Sequence, residues 1–295
     1  MIDLASLTKS VCQVARQAGA YIRNERLKFN VESVERKHAH DYVSYVDKGS
    51  EQLIVSALRA LLPEAGFVTE EGTTQYDSLT SHPSPLTSDA SPLTSSFSPL
   101  TSNLTWVVDP LDGTTNFIHQ YAPYAVSIGL LQGNTVLVGV VYEICADECY
   151  YAWKGGGAFL EFRVESSEFR VEPLHVGTSA IEDALLCLQL PYNSDAYKPV
   201  IRHLLDTFYG RAASIRMIGS AAMALCYVAA GRLDGYVEQY IGRWDYMAGS
   251  LIVMEAGGTV TDYSGSADYT RGNSVIAANP LVHSHLVEAI AEAGL

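Results

Sequence analysis

The stretch Trp106-Val107-Val108-Asp109-Pro110-Leu111-Asp112-Gly113-Thr114-Thr115-Asn116-Phe117 decides how this chain is read. Val107 and Val108 are strand formers, and Pro110 is expected to stop the strand. Gly113 lets the backbone approach a ligand closely. Thr114 and Thr115 then offer hydroxyls and N–H groups at a helix start. Such a turn suits cations on Asp109 and Asp112 and an anion on its N–H groups. The same pattern also serves as an Asp-rich turn capping a helix, so the stretch alone leaves both readings open.

Further acids sit at the ends of other predicted elements. Glu70-Glu71 closes the short strand Gly66-Phe67-Val68-Thr69, and Asp245 follows Trp244 at the start of an apolar helix. Strand and helix ends are where sites are usually assembled. Hard oxygen donors without a convincing His or Cys set point to Mg²⁺ rather than zinc. Each acid has a plainer alternative: Asp245 as a helix cap, Glu70 and Glu71 as solvated turn residues.

The 295 residues can bury a large core, in one domain or two closely packed halves. The net charge of −14 argues against a nucleic-acid partner bound through a basic face. An anionic substrate would be repelled unless cations intervene. Met1-Ile2-Asp3-Leu4-Ala5 has no basic, apolar leader pattern, and no apolar run approaches the roughly 20 residues of a membrane span. Five cysteines without a CxxC pair fit reduced thiols in a cytoplasm. Cys145 and Cys149 read as strand residues rather than ligands.

Leu4, Leu7, Val11, Val14, Ala18 and Ile22 repeat at helical spacing. Tyr42–Val46 reads as a strand and Lys48–Leu62 as a helix stopped by Pro63. Leu-Thr-Ser then recurs at Leu79, Leu86, Leu93 and Leu100, a seven-residue period. Its prolines exclude a coiled coil, so residues 77–103 read as a flexible surface loop, a neutral expansion rather than a lid. Strands are predicted at 124–131, 135–143, 148–153 and 158–162, with Gly133-Asn134 as a hairpin turn. From residue 184 strands and helices alternate, the helices at 195–209, 220–231 and 245–256 and from Pro280. The fold class is α/β: an α+β N-terminal half, residues 1–165, carrying most candidate ligands, and a layered α/β C-terminal half, residues 166–295, completing the site. The seam lies near 163–180.

Taken together, these motifs resemble the inositol monophosphatase family of Mg²⁺-dependent, lithium-sensitive phosphatases. Residues 106–117 match its first signature, W-[IV]-[IV]-D-P-[IL]-D-G-T-T-N-F. Trp244-Asp245-Tyr246-Met247-Ala248-Gly249, with Glu255-Ala256-Gly257-Gly258, matches its second. Glu70-Glu71, Asp47 and Gly219-Ser220-Ala221-Ala222 match its remaining landmarks. The resemblance implies an αβαβα sandwich of the inositol monophosphatase and fructose-1,6-bisphosphatase type. It implies two or three Mg²⁺ ions held by Glu70, Asp109, the Leu111 carbonyl, Asp112 and Asp245, with Asp109 shared. Glu70 and Thr114, the latter hydrogen-bonded to Asp47, would activate the attacking water. Gly113, Thr114 and Thr115 would hold the phosphate, and Asp112, Ala221 and Glu238 would face the polyol.

The implied activity is that of an inositol-phosphate phosphatase, a phosphoric monoester hydrolase acting on a small phosphorylated polyol by in-line attack. Relatives acting on 3′-phosphoadenosine 5′-phosphate tend to read D-G-T-K-E-F, unlike Thr115-Asn116-Phe117 here. A 3′(2′),5′-bisphosphate nucleotidase, fructose-1,6-bisphosphatase or histidinol-phosphatase of the same superfamily is the alternative. Another class stays open, because some bacterial relatives bind RNA polymerase with catalysis secondary. A homodimer is expected from the family. Lys37, His38 and His40 fall where the family has a mobile loop, and the two histidines read as solvent-facing.

Overall fold

The computed structural model describes residues 2–29, 35–38, 41–72, 103–165, 168–190, 194–271 and 273–294. The heptapeptide segment, but for Asn103, lies outside the described residues, as does His40.

In chain order the elements are α1 (Leu4–Arg26), β1 (Glu35–His38), β2 (Asp41–Val43), α2 (Tyr45–Leu61), β3 (Gly66–Thr69) and β4 (Leu104–Asp112). There follow α3 (Thr114–Ile118), β5 (Ala125–Gln132), β6 (Thr135–Glu143), β7 (Glu148–Trp153), β8 (Gly157–Glu165) and β9 (Glu168–Pro173). The remainder is β10 (Leu185–Leu188), α4 (Ser194–Phe208), β11 (Ser214–Arg216), α5 (Ala221–Ala229), β12 (Gly235–Gln239), α6 (Arg243–Glu255), β13 (Thr259–Thr261), β14 (Ser274–Ala278) and α7 (His283–Glu292).

Strands β3 to β9 form one sheet in sequence order, parallel between β3 and β4 and antiparallel beyond. A second sheet runs β11-β10-β12-β14-β13. Period-two alternation splits the side chains of the larger sheet between two cores. Trp106 and Val108 join Val126, Ile128 and Leu130 under α1 and α2, whereas Val107, Ala125 and Leu131 face α5 and α6. Those two helices fill the space between the sheets, and α4 and α7 cover the outer face of the smaller one. The layers are therefore α1–α2, sheet, α5–α6, sheet, α4–α7: the expected αβαβα sandwich.

Small residues set how closely the middle layer lies. A Cβ at Gly139 of β6 would overlap the Ala248 carbonyl of α6, and one at Gly249 would come within 2.7 Å of Leu225 Cβ on α5. Ser127 Oγ on β5 donates to the Trp244 carbonyl at 3.1 Å. Asp245, the next residue, is thereby held against the larger sheet although it belongs to the second half of the chain.

Several boundaries differ from expectation for identifiable reasons. Pro110 does not stop β4; the strand continues to Asp112 across a register shift between Asp109 and Asp112, an irregularity that spares proline a ladder donor. The helix expected from Lys48 starts at Tyr45, because Ser44 and Asp47 form a capping box, and the strand before it ends at Val43. β9 was not foreseen; it extends the larger sheet to Pro173, past the expected division at 165, and the crossover follows between Pro173 and Leu185. Asn279 Oδ1 accepts from Leu281 N and Val282 N, so the last helix begins at His283 rather than Pro280. Cys145 lies in the turn after β6, exposed, while Cys149 is buried in β7. No described helix is long and apolar enough to cross a membrane.

Candidate metal and phosphate site

A cleft of about 410 Å³ opens where β4, α3, α5, β12 and α6 meet. Asp109 and Asp112 come from the irregular end of β4, and Asp245 from the first turn of α6. One carboxylate oxygen from each lies within 4.8 Å of the others. Asp109 is 1% exposed. Glu70, half-buried, stands on the same wall, its N–H bonded to the Val108 carbonyl at 3.2 Å through the parallel β3–β4 pair. The expected residues Leu111, Gly113, Thr114, Thr115, Ala221 and Glu238 also line this cleft.

Burial, reinforced by Glu70, Asp245 and Asp112, pushes the Asp109 carboxyl well up from its ordinary range. Burial followed by Asp112 and Glu70 does the same to Asp245. Asp112 is pushed up to about 6 by burial, although hydrogen bonds from Ser220, Ala222 and Ala221 oppose the shift. Among the described residues no lysine or arginine pairs with any of the three. Gathering like charges out of water costs several kcal/mol per ion unless a cation offsets it. The donor set is all hard oxygen, so it fits divalent ions of the Mg²⁺ kind.

Each acid is also fixed by the backbone. Asp109 Oδ1 accepts from Leu111 N at 2.8 Å. Asp112 accepts from the Ser220 hydroxyl, from Ala221 N at 3.3 Å and from Ala222 N at 2.9 Å. It thus caps α5 from across the cleft and ties the two halves together. Asp245 Oδ2 accepts from Gly242 N at 2.8 Å, so it caps its helix and joins the cluster at once.

Asp47 does not line the cleft; it acts from behind. Fully buried, it accepts from Ser44 N at 2.9 Å and Ser44 Oγ at 2.6 Å, while Thr114 Oγ1 donates to it at 3.0 Å. Burial raises its pKa and these bonds oppose the rise. The Thr114 hydroxyl is equally close, 3.0 Å, to the Leu111 carbonyl. Gly113 sits at φ +88°, where a side chain would be strained, and a Cβ would lie 3.2 Å from the Pro123 carbonyl. Helix α3 spans only Thr114–Ile118, so it presents individual N–H groups rather than a long macrodipole. Glu71 is not among the residues that line the cleft, and its backbone N–H donates to Glu51 Oε2 at 2.8 Å.

With this geometry in hand, comparison with known proteins is decisive. Residues 3–295 match the model of the inositol monophosphatase family. The chain belongs to that family. It is 32% identical over 286 residues to an inositol-1-monophosphatase of Mesorhizobium japonicum, covering 97% of this chain and 96% of that one. It is 30% identical over 282 residues to a protein of Vibrio cholerae named Nus factor SuhB, covering 96% and 94%. A crystal structure of extragenic suppressor protein suhB from Bartonella henselae superposes with a TM-score of 0.79 at 30% identity, covering 97% and 98%.

Sequence reasoning missed three residues of the site. Asn116 Nδ2 donates to the Pro123 and Ile218 carbonyls at 2.8 and 2.9 Å, pinning α3 to the loop before α5. Ser220 belongs to the Gly219–Ala222 motif, and its hydroxyl donates to Asp112, a contact that the motif does not signal. Gln189, at the end of β10, accepts from Ile218 N and Gly219 N at 3.2 and 3.3 Å. Its only sequence signal is a polar residue closing an apolar strand. Of the loop residues, Lys37 and His38 lie in β1, which pairs with β2.

Proposed function

We propose that the chain is a Mg²⁺-dependent phosphomonoesterase acting on inositol monophosphate or a similar polyol phosphate. The observation that carries this reading is the convergence of Asp109, Asp112 and Asp245 beside the Thr114–Asp47 hydrogen bond in one cleft. Glu70, Asp109, the Leu111 carbonyl, Asp112 and Asp245 would hold two or three ions. Bound there, such ions supply positive charge to the phosphate and acidity to a water molecule.

The chain's own groups do the rest. The Thr114 hydroxyl donates to Asp47, which leaves its oxygen lone pairs to accept a hydrogen bond from the attacking water. Asp47 is held by Ser44, so the Thr114 hydroxyl keeps its direction. Glu70 takes the proton as the water oxygen bonds to phosphorus. The ester P–O bond breaks opposite, and the alcohol leaves with a proton from solvent. The N–H groups of Gly113 and Thr114, with Thr115 beside them, hold phosphate oxygens. Asp112, the Ala221 backbone and Glu238 face the alcohol, where carboxylates accept its hydroxyl protons. Most of the catalysis is positioning and charge neutralisation.

Two subdomains meeting at this cleft, dividing between Pro173 and Leu185, a homodimer and a cytoplasmic location go with this reading; the free cysteines support a reducing compartment. The alternative from another class, an RNA polymerase-binding role with catalysis secondary, is tested by co-purification with the polymerase. The test of the main reading is phosphate release from inositol 1-phosphate, fructose 1,6-bisphosphate, histidinol phosphate and 3′-phosphoadenosine 5′-phosphate, with Mg²⁺ and with or without Li⁺. Inositol phosphate should be preferred, with release abolished by chelation and inhibited by Li⁺. A nucleotide preferred by about a hundredfold would replace the substrate assignment. No metal-dependent release from any ester would end the enzymatic reading.

A further inference from the structure

We propose that Gln189 is a specificity-determining residue that, side by side with Glu238, reads two adjacent hydroxyls of the substrate alcohol; this rests on the phosphatase reading above. Strands β10 and β12 are parallel neighbours, with Leu186 opposite Gly235, Cys187 opposite Tyr236 and Leu188 opposite Val237. Gln189 N donates to the Val237 carbonyl at 3.1 Å, so the ladder continues and Gln189 stands beside Glu238. Register partners on parallel strands lie about 4.8 Å apart with side chains on the same face. Period-two alternation puts that face with Cys187 and Tyr236, toward α5, α6 and the cleft, which both residues line. These are the carboxyl ends of parallel strands, where α/β proteins place ligands.

The two side chains are chemically complementary and each is held. Gln189 is 8% exposed, and its Oε1 accepts from the N–H groups of Ile218 and Gly219. Those two donors settle which end of the amide is oxygen. Among the described residues its Nε2 has no hydrogen-bond partner, and the atom is not sealed from solvent. Glu238 Oε2 accepts from the hydroxyl of fully buried Tyr236 at 2.5 Å, so one carboxylate oxygen is tethered and the other is left for a ligand. A fixed amide donor beside a fixed carboxyl group matches a vicinal diol: one hydroxyl accepts from Gln189 Nε2, and its neighbour bonds the free oxygen of Glu238, whose carboxyl burial pushes up to about 8. An alcohol with no diol at this position makes neither contact.

The experiment uses the full chain with Mg²⁺ and two probes, myo-inositol 1-phosphate and cyclohexyl phosphate, which have rings of the same size with and without hydroxyls. Gln189→Glu keeps an acceptor for Ile218 N and Gly219 N and removes the donor. The ratio of kcat/KM on the inositol ester to that on the cyclohexyl ester should fall about tenfold, mainly through KM, the effect of one lost hydrogen bond. Gln189→Met, of similar length without the amide, should lower the same ratio, and melting curves establish that each variant is folded. A ratio within about twofold of wild type in a folded variant, whether both activities fall together or neither falls, overturns the proposal. A wild type that hydrolyses neither ester overturns the phosphatase reading and this proposal with it.

Discussion

Replacing Asp112 by Asn should flatten the pH dependence of stability in the metal-free protein. Burial holds the Asp112 carboxyl at about 6 in the folded state, against an ordinary value of 3.8. The folded state therefore keeps a proton that the unfolded chain has already lost, so stability falls as pH rises between those two values. The shift is about two units at about 1.4 kcal/mol each, about 3 kcal/mol in all; part is already lost at pH 4, so Asp112 alone makes the folded state about 2 kcal/mol less stable at pH 8 than at pH 4. Burial pushes Asp109 and Asp245 well up too, reinforced at Asp109 by Glu70, Asp245 and Asp112 and at Asp245 by Asp112 and Glu70, so wild type loses more than this in total. The Asn variant begins less stable at low pH, because its amide cannot accept from Ser220, Ala221 and Ala222 together. Its slope, however, lacks the Asp112 contribution. Urea unfolding in EDTA between pH 4 and pH 8 measures both slopes. The wild-type loss should exceed that of the variant by at least about 2 kcal/mol, since the Asp112 charge also raises Asp109 and Asp245, and saturating Mg²⁺ should stabilise wild type more at pH 8 than at pH 5. Identical slopes in the two proteins, or wild-type stability that rises with pH, would refute the reasoning.

Two further substitutions test how the fold serves the site. Thr114→Val removes the hydroxyl that bonds Asp47 and leaves that buried carboxylate one donor short; kcat on inositol 1-phosphate should fall about a hundredfold or more with KM little changed. Gly139→Ala forces a methyl group against the Ala248 carbonyl; thermal unfolding should show a loss of about 1–3 kcal/mol. Activity should fall too, because α6 carries Asp245, whereas an equally destabilising change in the outer layer, such as Leu286→Val in α7, should spare it.

What the sequence made legible was mostly the chemistry written in short local motifs. Residues 106–117 place two acids, a positive-φ glycine and two threonines within one turn, and the structure keeps them together. The central strands of the larger sheet, β4 to β7, were readable because their side chains divide between two cores. Less visible were features that a competing local pattern masks or that depend on long-range contacts. The α2 start is set by a local capping box, Ser44 with Asp47, that the strand pattern over Tyr42–Val46 masks, and the bond from Thr114 to Asp47 was legible through the family resemblance alone. β9 is exposed along its length, so no apolar alternation marks it; pairing with β8 makes it a strand. Pro110 was read as a stop, yet an irregular ladder accommodates it. Gln189 gave almost no signal, since its place is fixed by the parallel register of β10 and β12 and by two backbone donors from the loop before α5.

The most direct test of the central claim is phosphate release from myo-inositol 1-phosphate by Asp109→Asn across a Mg²⁺ titration. Asn offers a neutral carbonyl in place of the carboxylate that would hold the ions, a donor too weak to hold them. The account predicts a folded protein whose activity is lower by about a thousandfold or more and is not restored at high Mg²⁺. Near-wild-type turnover at ordinary Mg²⁺ would contradict it.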